Sequence, residues 1–459
     1  MEEKKRISAS KRVEMIFDQD SVFYLGSKNN GDGGGVLTGY GTISKRLGFF
    51  FSQDYSVKGG ALTALNAKKI SRIYDLAAES GAPVIGIYDS CGAVVTDGID
   101  ILSSYGEIIS RASKYSGVIP QVSLVAGPAT GMLSICTGIS DFTIVTESFG
   151  EMYINSPEVL TEKEESYVCS EDYASASKLS LNGSAVITAK DDSEGIEYVK
   201  KVFSFIPSNN LEYAEETSQV SLKKLVSINN LDEVVTALSE NELEINKEFE
   251  EEIKTSLVKL NGRTIGVIGT GRKTQASLNS DKIDKLTGMI KLCDCYNIPI
   301  LSLVNSTGFV NELTEEKKGL ILSAAKLSAA IAAAKVPKVS LVTGKAVGAA
   351  FTLLADKKLG FDLTYAAENA EISVAETEKL VQVIYKEDLK NAEDKESKLK
   401  ELMETHKEEL SSAGTAAEKG LVDEVLSIDQ IYEVISASFE MLSSKRTAEY
   451  PKKHGSILV

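Results

Sequence analysis

Two short segments of the chain have the composition of turns that bind an oxyanion through main-chain N–H groups. They are residues 127–132 (GPATGM) and 344–350 (GKAVGAA), and each comes directly after an apolar, strand-like run. Small residues let a ligand approach the backbone, and the beginning of a helix directs unpaired N–H groups and a positive dipole end outward. Donors fixed in this way stabilise the charge that a carbonyl oxygen gains during a reaction. A packing turn would explain one isolated copy, whereas two copies in equivalent places favour two oxyanion holes.

The side chains that usually perform covalent catalysis or bind transition metals are scarce. The chain has only two histidines: His406 lies in a charged run that predicts a solvated helix face, and His454 lies in the segment PKKHG. A Ser-His-Asp or Cys-His nucleophile and a histidine-rich metal site are therefore disfavoured. The five cysteines form no zinc-ribbon or C-x-x-C pattern, which favours free thiols in a reducing cytosol. We expect no metal site, and chemistry that uses backbone dipoles, carboxylates or a cofactor.

Three other turns are candidates for the walls of a pocket. Residues 89–93 (DSCGA) and 305–309 (NSTGF) each end a further apolar run. Cys91 has no partner histidine and no flanking cation that would lower its pKa, so a nucleophilic role is disfavoured. Gly59 and Gly60 precede a helical pattern, where they could bind an anion such as a phosphate of a coenzyme.

The elements that carry these turns occur twice in the sequence. A helix, a turn and a buried strand are predicted over residues 67–93 and again over 281–309. Pro83 and Pro299, in the two turns, are 216 residues apart. In both halves VSLV followed by glycine comes next, and Val122 and its counterpart 217 residues later begin these runs. Short strands that alternate with helices imply a duplicated α/β domain.

Size and composition indicate a soluble protein of two domains. The 459 residues exceed one ordinary core, 43% of them are hydrophobic, and no window approaches the run of about 20 apolar residues that spans a membrane. The polar, acid-rich stretch 207–260 separates the copies, so we expect domains at residues 1–230 and 231–459. The net charge of −16 argues against a nucleic-acid partner. A charged N-terminus without an apolar segment behind it predicts a cytoplasmic protein.

From about Arg12 to Val459 the chain resembles one family. The family comprises the carboxyltransferase subunits of biotin-dependent acyl-CoA carboxylases, such as propionyl-CoA carboxylase β chains, and the α subunits of sodium-pumping methylmalonyl-CoA decarboxylases. The segments that carry the resemblance are SQDYSVKGGALTALNAKKI (52–70), GAPVIGIYDSCGA (81–93), YGEI (105–108), SGVIPQVSLVAGP (116–128), CDCYNIPILSLV (293–304), VPKVSLVTGKAVGAAF (336–351), AAEKGLVDEV (416–425) and PKKHG (451–455).

This resemblance implies a fold, a reaction and a site. Each half would be a crotonase-like (ClpP/crotonase) ββα-spiral domain, the first for the acyl-CoA and the second for biotin, with the active site where the first domain of one subunit meets the second domain of another. Carboxybiotin would release CO2, the biotin ureido enolate that remains would take the α-proton, and the thioester enolate would attack the CO2. By position, the catalytic N–H groups would be those around Gly131, Met132, Ala349 and Ala350. The residues expected to line the CoA and biotin sites are Gly59, Gly60, Gly92, Ala93, Thr130, Gly308, Phe309 and Gly348.

The resemblance also implies partners. The sequence shows no M-K-M biotinylation motif and no ATP-binding motif. We therefore expect biotin on a separate carrier protein, and a biotin carboxylase or a membrane decarboxylase subunit as a further chain. The family forms dimer-based homo-oligomers, with a hexamer expected here. The location would be the cytoplasm, which includes the periphery of a membrane decarboxylase complex.

Departures from the family pattern leave two alternatives open. The family has two glycines where this chain has Gly131-Met132, a glycine in place of Ala349, and a different turn and loop over residues 305–317. These departures are compatible with a catalytically degenerate scaffold subunit. The other alternative is a biotin-independent crotonase-like enzyme for CoA thioesters. That enzyme needs a carboxylate base, for which Glu147 and Asp141 are the candidates.

Overall fold

The computed structural model describes residues 6–27, 35–94, 96, 98–164, 166–217, 225–239 and 241–447. Contacts divide the chain into a first unit, Met1–Glu215 with Ile245–Phe249 and Cys295–Asn297, and a second unit, Glu216–Glu244 with Glu250–Asp294 and Ile298–Val459. The boundary expected after residue 230 therefore falls inside the second unit. Glu216 belongs there because it pairs with Arg263 at 2.8 Å, and the N–H of Thr217 donates to the carbonyl of Gly262 at 2.9 Å.

The first unit is an α/β structure built on one sheet. Its helices and strands are α1 (Ala9–Ile16), β1 (Phe23–Leu25), β2 (Val36–Ile43), β3 (Arg46–Gln53), α2 (Ala64–Ser80), β4 (Val84–Ser90), α3 (Asp100–Tyr115), β5 (Gln121–Thr130), α4 (Met132–Ile139), β6 (Phe142–Thr146), β7 (Glu151–Tyr153), α5 (Pro157–Glu164), α6 (Ala176–Leu181), β8 (Ile187–Ala189) and α7 (Asp192–Phe205). The strand order within the described residues is β1-β2-β3-β4-β5-β6-β8, and β7 pairs with the end of β5. Strands β3 to β6 pair in parallel, with helices in the connections.

The second unit repeats this plan. Its elements are α8 (Leu231–Leu238), β9 (Glu242–Glu244), β10 (Ile253–Leu260), β11 (Arg263–Thr270), β12 (Ala276–Leu278), α9 (Ser280–Cys295), β13 (Ile300–Phe309), α10 (Leu313–Lys318), α11 (Leu320–Ala333), β14 (Lys338–Val347), α12 (Ala349–Leu354), β15 (Leu363–Ala367), β16 (Glu371–Ser373), α13 (Thr377–Ile384), α14 (Lys386–Asn391), α15 (Lys395–His406), α16 (Ala413–Glu418), β17 (Glu424–Leu426) and α17 (Ile431–Met441). The described strands run in the order β17-β15-β14-β13-β11-β10-β9, with β16 on the end of β14 and β12 on the end of β13.

Helix α2 shows why the sequence forms these elements. The side chain of Thr63 accepts a hydrogen bond from the N–H of Asn66 at 3.2 Å and caps the start of the helix. Gly81 ends it in the left-handed region, at φ 62°. Ile70 and Tyr74 follow one face of the helix and are buried in the core against the sheet.

His406 corrects one expectation from the sequence. It lies on α15, one turn after Leu402, and both side chains are buried rather than on a solvated face. Their i, i+4 spacing places them on the same side of the helix, which faces the protein. His454, the other histidine, lies outside the described residues.

Candidate functional site

A matching irregularity occurs in each sheet at the place where two central strands diverge. Between the pairs Tyr88–Val125 and Ser90–Ala129, one residue of β4 faces three residues of β5. That single residue is Asp89. Extra residues in one strand bend it and change its direction. The bulge therefore turns the end of β5 away from β4, so that it pairs with β7 and runs into α4.

In the second unit Asn305 takes the place of Asp89. It lies between the pairs Val304–Val342 and Ser306–Ala346, where one residue of β13 again faces three residues of β14. In both units a glycine on the facing strand leaves space for the side chain of Asp89 or Asn305. A Cβ on Gly127 or on Gly344 would clash with Oδ1 of that side chain. The bulge is thus a duplicated feature, and in each unit it directs the end of the bulged strand into the turn that precedes a helix.

In the first unit, the turn between β5 and α4 is at Gly131. This residue has φ 60° and ψ −129° and precedes α4. Its own N–H donates to the carbonyl of Tyr153 at 2.8 Å, so Gly131 does not supply the donor that the sequence suggested for it. The N–H groups of Met132 and Leu133 have no hydrogen-bond partner among the residues that the structure describes. They form the donor pair of the first turn.

The turn at Gly348 repeats this arrangement. Gly348 has φ 52° and ψ −115°, and its N–H donates to the carbonyl of Ser373 at 2.8 Å. Ala349 and Ala350 begin α12 and, within the described part of the chain, their N–H groups are also unbonded. Two adjacent free N–H groups at a helix start can hold one oxyanion.

Leu133 carries an available N–H that was not predicted from the sequence. It occupies the place of Ala350 in the first turn, because Gly131 corresponds to Gly348 and Met132 to Ala349. The offset of 217 residues between Val122 and its counterpart leads from Ala350 to this residue, so the signal was present in the sequence.

The predicted wall residues of the first site lie together in the first unit. The N–H of Cys91 donates to the carbonyl of Gly59 at 2.9 Å, and the N–H of Leu62 donates to the carbonyl of Gly92 at 2.7 Å. Ala93 pairs with Leu62 in a short parallel bridge. A Cβ on Gly92 would lie 3.0 Å from Oγ1 of Thr130, at the end of β5. These contacts therefore bring the residues together at the end of β5, one residue before Gly131.

The three remaining wall residues are placed by the same kind of contact. Gly60, at φ 66°, faces the carbonyl of Asp89 so closely that a Cβ would clash with it. In the second unit a Cβ on Gly308 would lie 3.0 Å from the carbonyl of Val347, the residue before Gly348. Phe309 pairs with Leu278 of β12. A ligand-binding role for these residues remains a prediction.

Of the two carboxylates proposed as an alternative base, Asp141 lies away from the Gly131 turn. Asp141 follows the opposite end of α4, about 12 Å from the turn at 1.5 Å per helical residue. Its Oδ2 accepts hydrogen bonds from the N–H of Gln121 at 2.8 Å and from the hydroxyl of Tyr296 at 2.7 Å. Burial raises the pKa of Asp141 to about 6. Glu147 comes after β6, and its N–H donates to the carbonyl of Ala189.

A buried ionic cluster around Asp89 was not predicted from the sequence either. Nη1 of Arg12 donates to Oδ2 of Asp89 at 2.8 Å, and Nε donates to Oδ2 of Asp192 at 2.7 Å. The side chain of Arg6 pairs with Oδ1 of Asp89. Burial raises the pKa of Asp89 and of Asp192, although Arg12 opposes this shift in both. The residues of this cluster are far apart in sequence, so no local sequence pattern predicts it.

The described residues offer neither a metal site nor a membrane span. They contain no group of three or more His, Cys, Asp and Glu residues that could hold a metal ion. None of their helices is both long enough and apolar enough to cross a membrane.

Comparison with known proteins agrees with this geometry. The family model for the carboxyl transferase domain matches residues 3–457. The chain is 35% identical to a methylmalonyl-CoA decarboxylase subunit alpha of Propionigenium modestum, over 92% of this chain and 85% of the relative. It is 32% identical to a propionyl-CoA carboxylase carboxyltransferase subunit of Haloferax mediterranei, over 93% and 86%.

A solved structure of transcarboxylase 12S, described as a hexamer with methylmalonyl-coenzyme A and methylmalonic acid bound, superimposes with a TM-score of 0.93 at 29% identity. It covers 99% of this chain and 92% of the other. The expected tandem crotonase-like fold and the expected resemblance are therefore confirmed. The chain belongs to the carboxyl transferase domain family, whose members are carboxyltransferases.

Proposed function

We propose that this protein transfers a carboxyl group between biotin on a separate carrier protein and a short acyl-CoA. The acyl-CoA would be propionyl-CoA with methylmalonyl-CoA, or acetyl-CoA with malonyl-CoA. The observation that carries the proposal is the pair of turns at Gly131 and Gly348, each with two free N–H groups. The relatives named for methylmalonyl-CoA and propionyl-CoA, and the structure with methylmalonyl-coenzyme A bound, support this substrate class.

The first turn would act on the acyl-CoA. The N–H groups of Met132 and Leu133 would donate to the thioester oxygen, which gains negative charge when the α-proton leaves. These donors belong to the backbone and are held by the helix, so they need no reorganisation as the charge forms. The adjacent turns at Gly59 and Gly92 would bind the coenzyme.

The second turn fits the polar ureido group of biotin. Ala349 and Ala350 have small side chains, so their N–H groups can approach a bulky ring closely. When bound, biotin supplies the carboxyl group and a base for the α-proton. The chain's own contribution would be to hold the ureido oxygen on these two N–H groups.

The partners and location of the protein follow from the same proposal. Biotin would arrive on a carrier protein, and a biotin carboxylase or a membrane decarboxylase subunit would load or unload it. The chain would act as a dimer-based homo-oligomer in the cytoplasm or at the membrane surface beside such a decarboxylase. The hexamer described for transcarboxylase 12S supports this arrangement.

An assay with free biotin tests the proposal. We expect the purified protein to convert methylmalonyl-CoA or malonyl-CoA into the corresponding acyl-CoA when biotin is added, and to do so faster with a biotinylated carrier protein. Acyl-CoA formation is followed by chromatography, with a reaction that lacks biotin as the control. If no short acyl-CoA turns over, alone or with a carrier, the proposal is wrong and the scaffold alternative gains support. Turnover without biotin would instead support the biotin-independent alternative.

A further inference from the structure

The two bulges are alike in shape but are held by different bonds. In the second unit, Oδ1 of Asn305 accepts a hydrogen bond from the N–H of Lys345 at 3.1 Å, across the bulge. Lys345 is the third of the three residues of β14 that face Asn305. This hydrogen bond between neutral groups joins the Asn305 side chain directly to the bulged strand β14.

The first unit cannot make that bond. The third of the residues that face Asp89 is Pro128, and proline has no N–H to donate. The facing side chain is also different: Asp89 is a carboxylate, which accepts hydrogen bonds but, unlike the amide of Asn305, donates none. Some other group must join Asp89 to the bulged strand.

Arg12 provides this connection. Its Nη1 donates to Oδ2 of Asp89, and its Nη2 donates to the carbonyl of Ala126, the first bulged residue, at 3.3 Å. The guanidinium is planar and carries five donors in a fixed geometry, which lets it bridge two acceptors at once. Asp192 holds the Nε side of the same group. The Arg12 side chain is only 1% exposed.

We propose that Arg12 and Asp89 are positioning residues for the acyl-CoA oxyanion hole. Their ion pair, with the bond from Arg12 to Ala126, takes the place of the hydrogen bond between Asn305 and Lys345 at the second hole. The bulge that they hold lies between Val125 and Ala129, and β5 then leads within two residues to Gly131 and the Met132 N–H. The inference rests on the proposed function, since it assigns the thioester oxygen to that N–H.

Small displacements of these donors have large effects. A misplacement of about 1 Å at a distance from the chemistry can lower a rate by about 100-fold. If Arg12 no longer joins Asp89 to Ala126, the end of β5 can move by such a distance. The effect should appear in kcat rather than in KM, because the donors act mainly on the charge of the transition state.

Replacement of Asp89 by asparagine is the first test. An amide has one oxygen and one NH2 group, so it cannot accept from Arg12 and Arg6 together and turns a donor towards one of them. We expect Asp89→Asn to lower kcat for carboxyl transfer by about 100-fold without a change in the KM for acyl-CoA. The second readout is the 13C carbonyl stretch of bound, thioester-labelled propionyl-CoA, which should return towards its value in solution.

Rescue distinguishes positioning from general stability. The double variant Asp89→Asn/Pro128→Lys restores an N–H where Lys345 has one, so it can make the bond of the second unit. We expect it to recover about fivefold in kcat, the value of roughly one hydrogen bond, and to shift the carbonyl stretch back. An unchanged kcat in Asp89→Asn overturns the inference, and so does a loss that Pro128→Lys does not relieve.

Asp75→Asn is the matched control. It changes an aspartate of the same unit that pairs with Arg111 at 2.9 Å between α2 and α3, and we expect kcat and the carbonyl stretch to remain as in the wild type. If Asp89→Asn does not fold, Arg12→Lys replaces it. Lysine retains the charge but cannot bridge Asp89 and Ala126, and Pro128→Lys should again rescue. A wild type without turnover and without a carbonyl shift indicates failure of the proposed function. A wild type with the shift, and variants that keep it, indicate failure of the positioning role.

Discussion

At the scale of single residues, Gly131 orients the candidate site although its own N–H donates to the carbonyl of Tyr153. Its ψ of −129° sets the plane of the peptide that carries the Met132 N–H. With φ at 60°, this conformation is strained for any residue that has a Cβ. A Cβ there would meet nothing within 4 Å, so a substitution acts through the backbone and not through bulk.

Replacement of Gly131 by alanine should therefore impair catalysis more than folding. We expect kcat for carboxyl transfer to fall by about 100-fold, the cost of one misplaced oxyanion donor, while the KM for acyl-CoA changes little. Gly138→Ala is the control, because Gly138 lies in α4, the helix that Gly131 precedes, with open space around it. Steady-state kinetics and thermal unfolding of both variants measure the effect. Similar kinetics for the two variants would contradict a special role for the Gly131 backbone.

The buried carboxyl group of Asp141 makes a second prediction. Its pKa in the folded protein, about 6, is above the value of about 3.9 for an unfolded chain. The folded state therefore binds this proton more tightly, and the stabilisation is complete below about pH 4 and is lost as the pH rises through about 6. In Asp141→Asn this dependence should be absent. Urea unfolding of both proteins from pH 4 to 7.5 measures it, and a constant difference in unfolding free energy across that range would contradict the raised pKa.

At the scale of elements, the duplicated alternation of helices and strands was predictable from the sequence, but the bulges were not. Periodicity and the Gly81 and Pro83 turn indicated α2 and the buried strand β4. The strand expected over Val122–Val125 continues in the structure to Thr130, because the bulge lets it pair with β7. Strand pairing depends on residues that are distant in the chain, so neither the bulge nor the role of Arg12, 77 residues before Asp89, has a local signal.

Two helices contain glycines that serve no visible steric purpose. Gly106 in α3 and Gly288 in α9 have nothing within 4 Å of a built Cβ. Because glycine in a helix interior costs roughly 0.5–1 kcal/mol relative to alanine, Gly106→Ala and Gly288→Ala should each stabilise the protein by about that amount. Chemical denaturation measures the change in unfolding free energy. Gly195→Ala in α7 is the contrasting case, since its Cβ would lie 2.8 Å from Cδ1 of Leu124. An equal gain in all three variants would mean that the available space does not decide the sign.

At the scale of the whole molecule, the proposed function requires more than one chain. The family resemblance predicts an active site between subunits. The described surface carries large apolar side chains such as Ile321, 75% exposed, and Leu313, 69% exposed. Side chains of this kind are commonly covered when subunits associate. We expect sedimentation and light scattering to show an oligomer built from dimers. Activity per chain should fall on dilution as the oligomer dissociates, and a fully active monomer would contradict a shared site.

The proposed use of the main-chain donors of Met132 and Leu133 has a consequence for resistance to inhibitors. A point mutation can delete a catalytic side chain, but it cannot delete a peptide N–H unless it introduces proline. A compound that places an anionic oxygen on these two N–H groups therefore depends on atoms that every ordinary substitution leaves in place. Escape from such a compound would have to come from added bulk near the turn or from a displaced backbone, and both changes would also reduce turnover of the natural substrate.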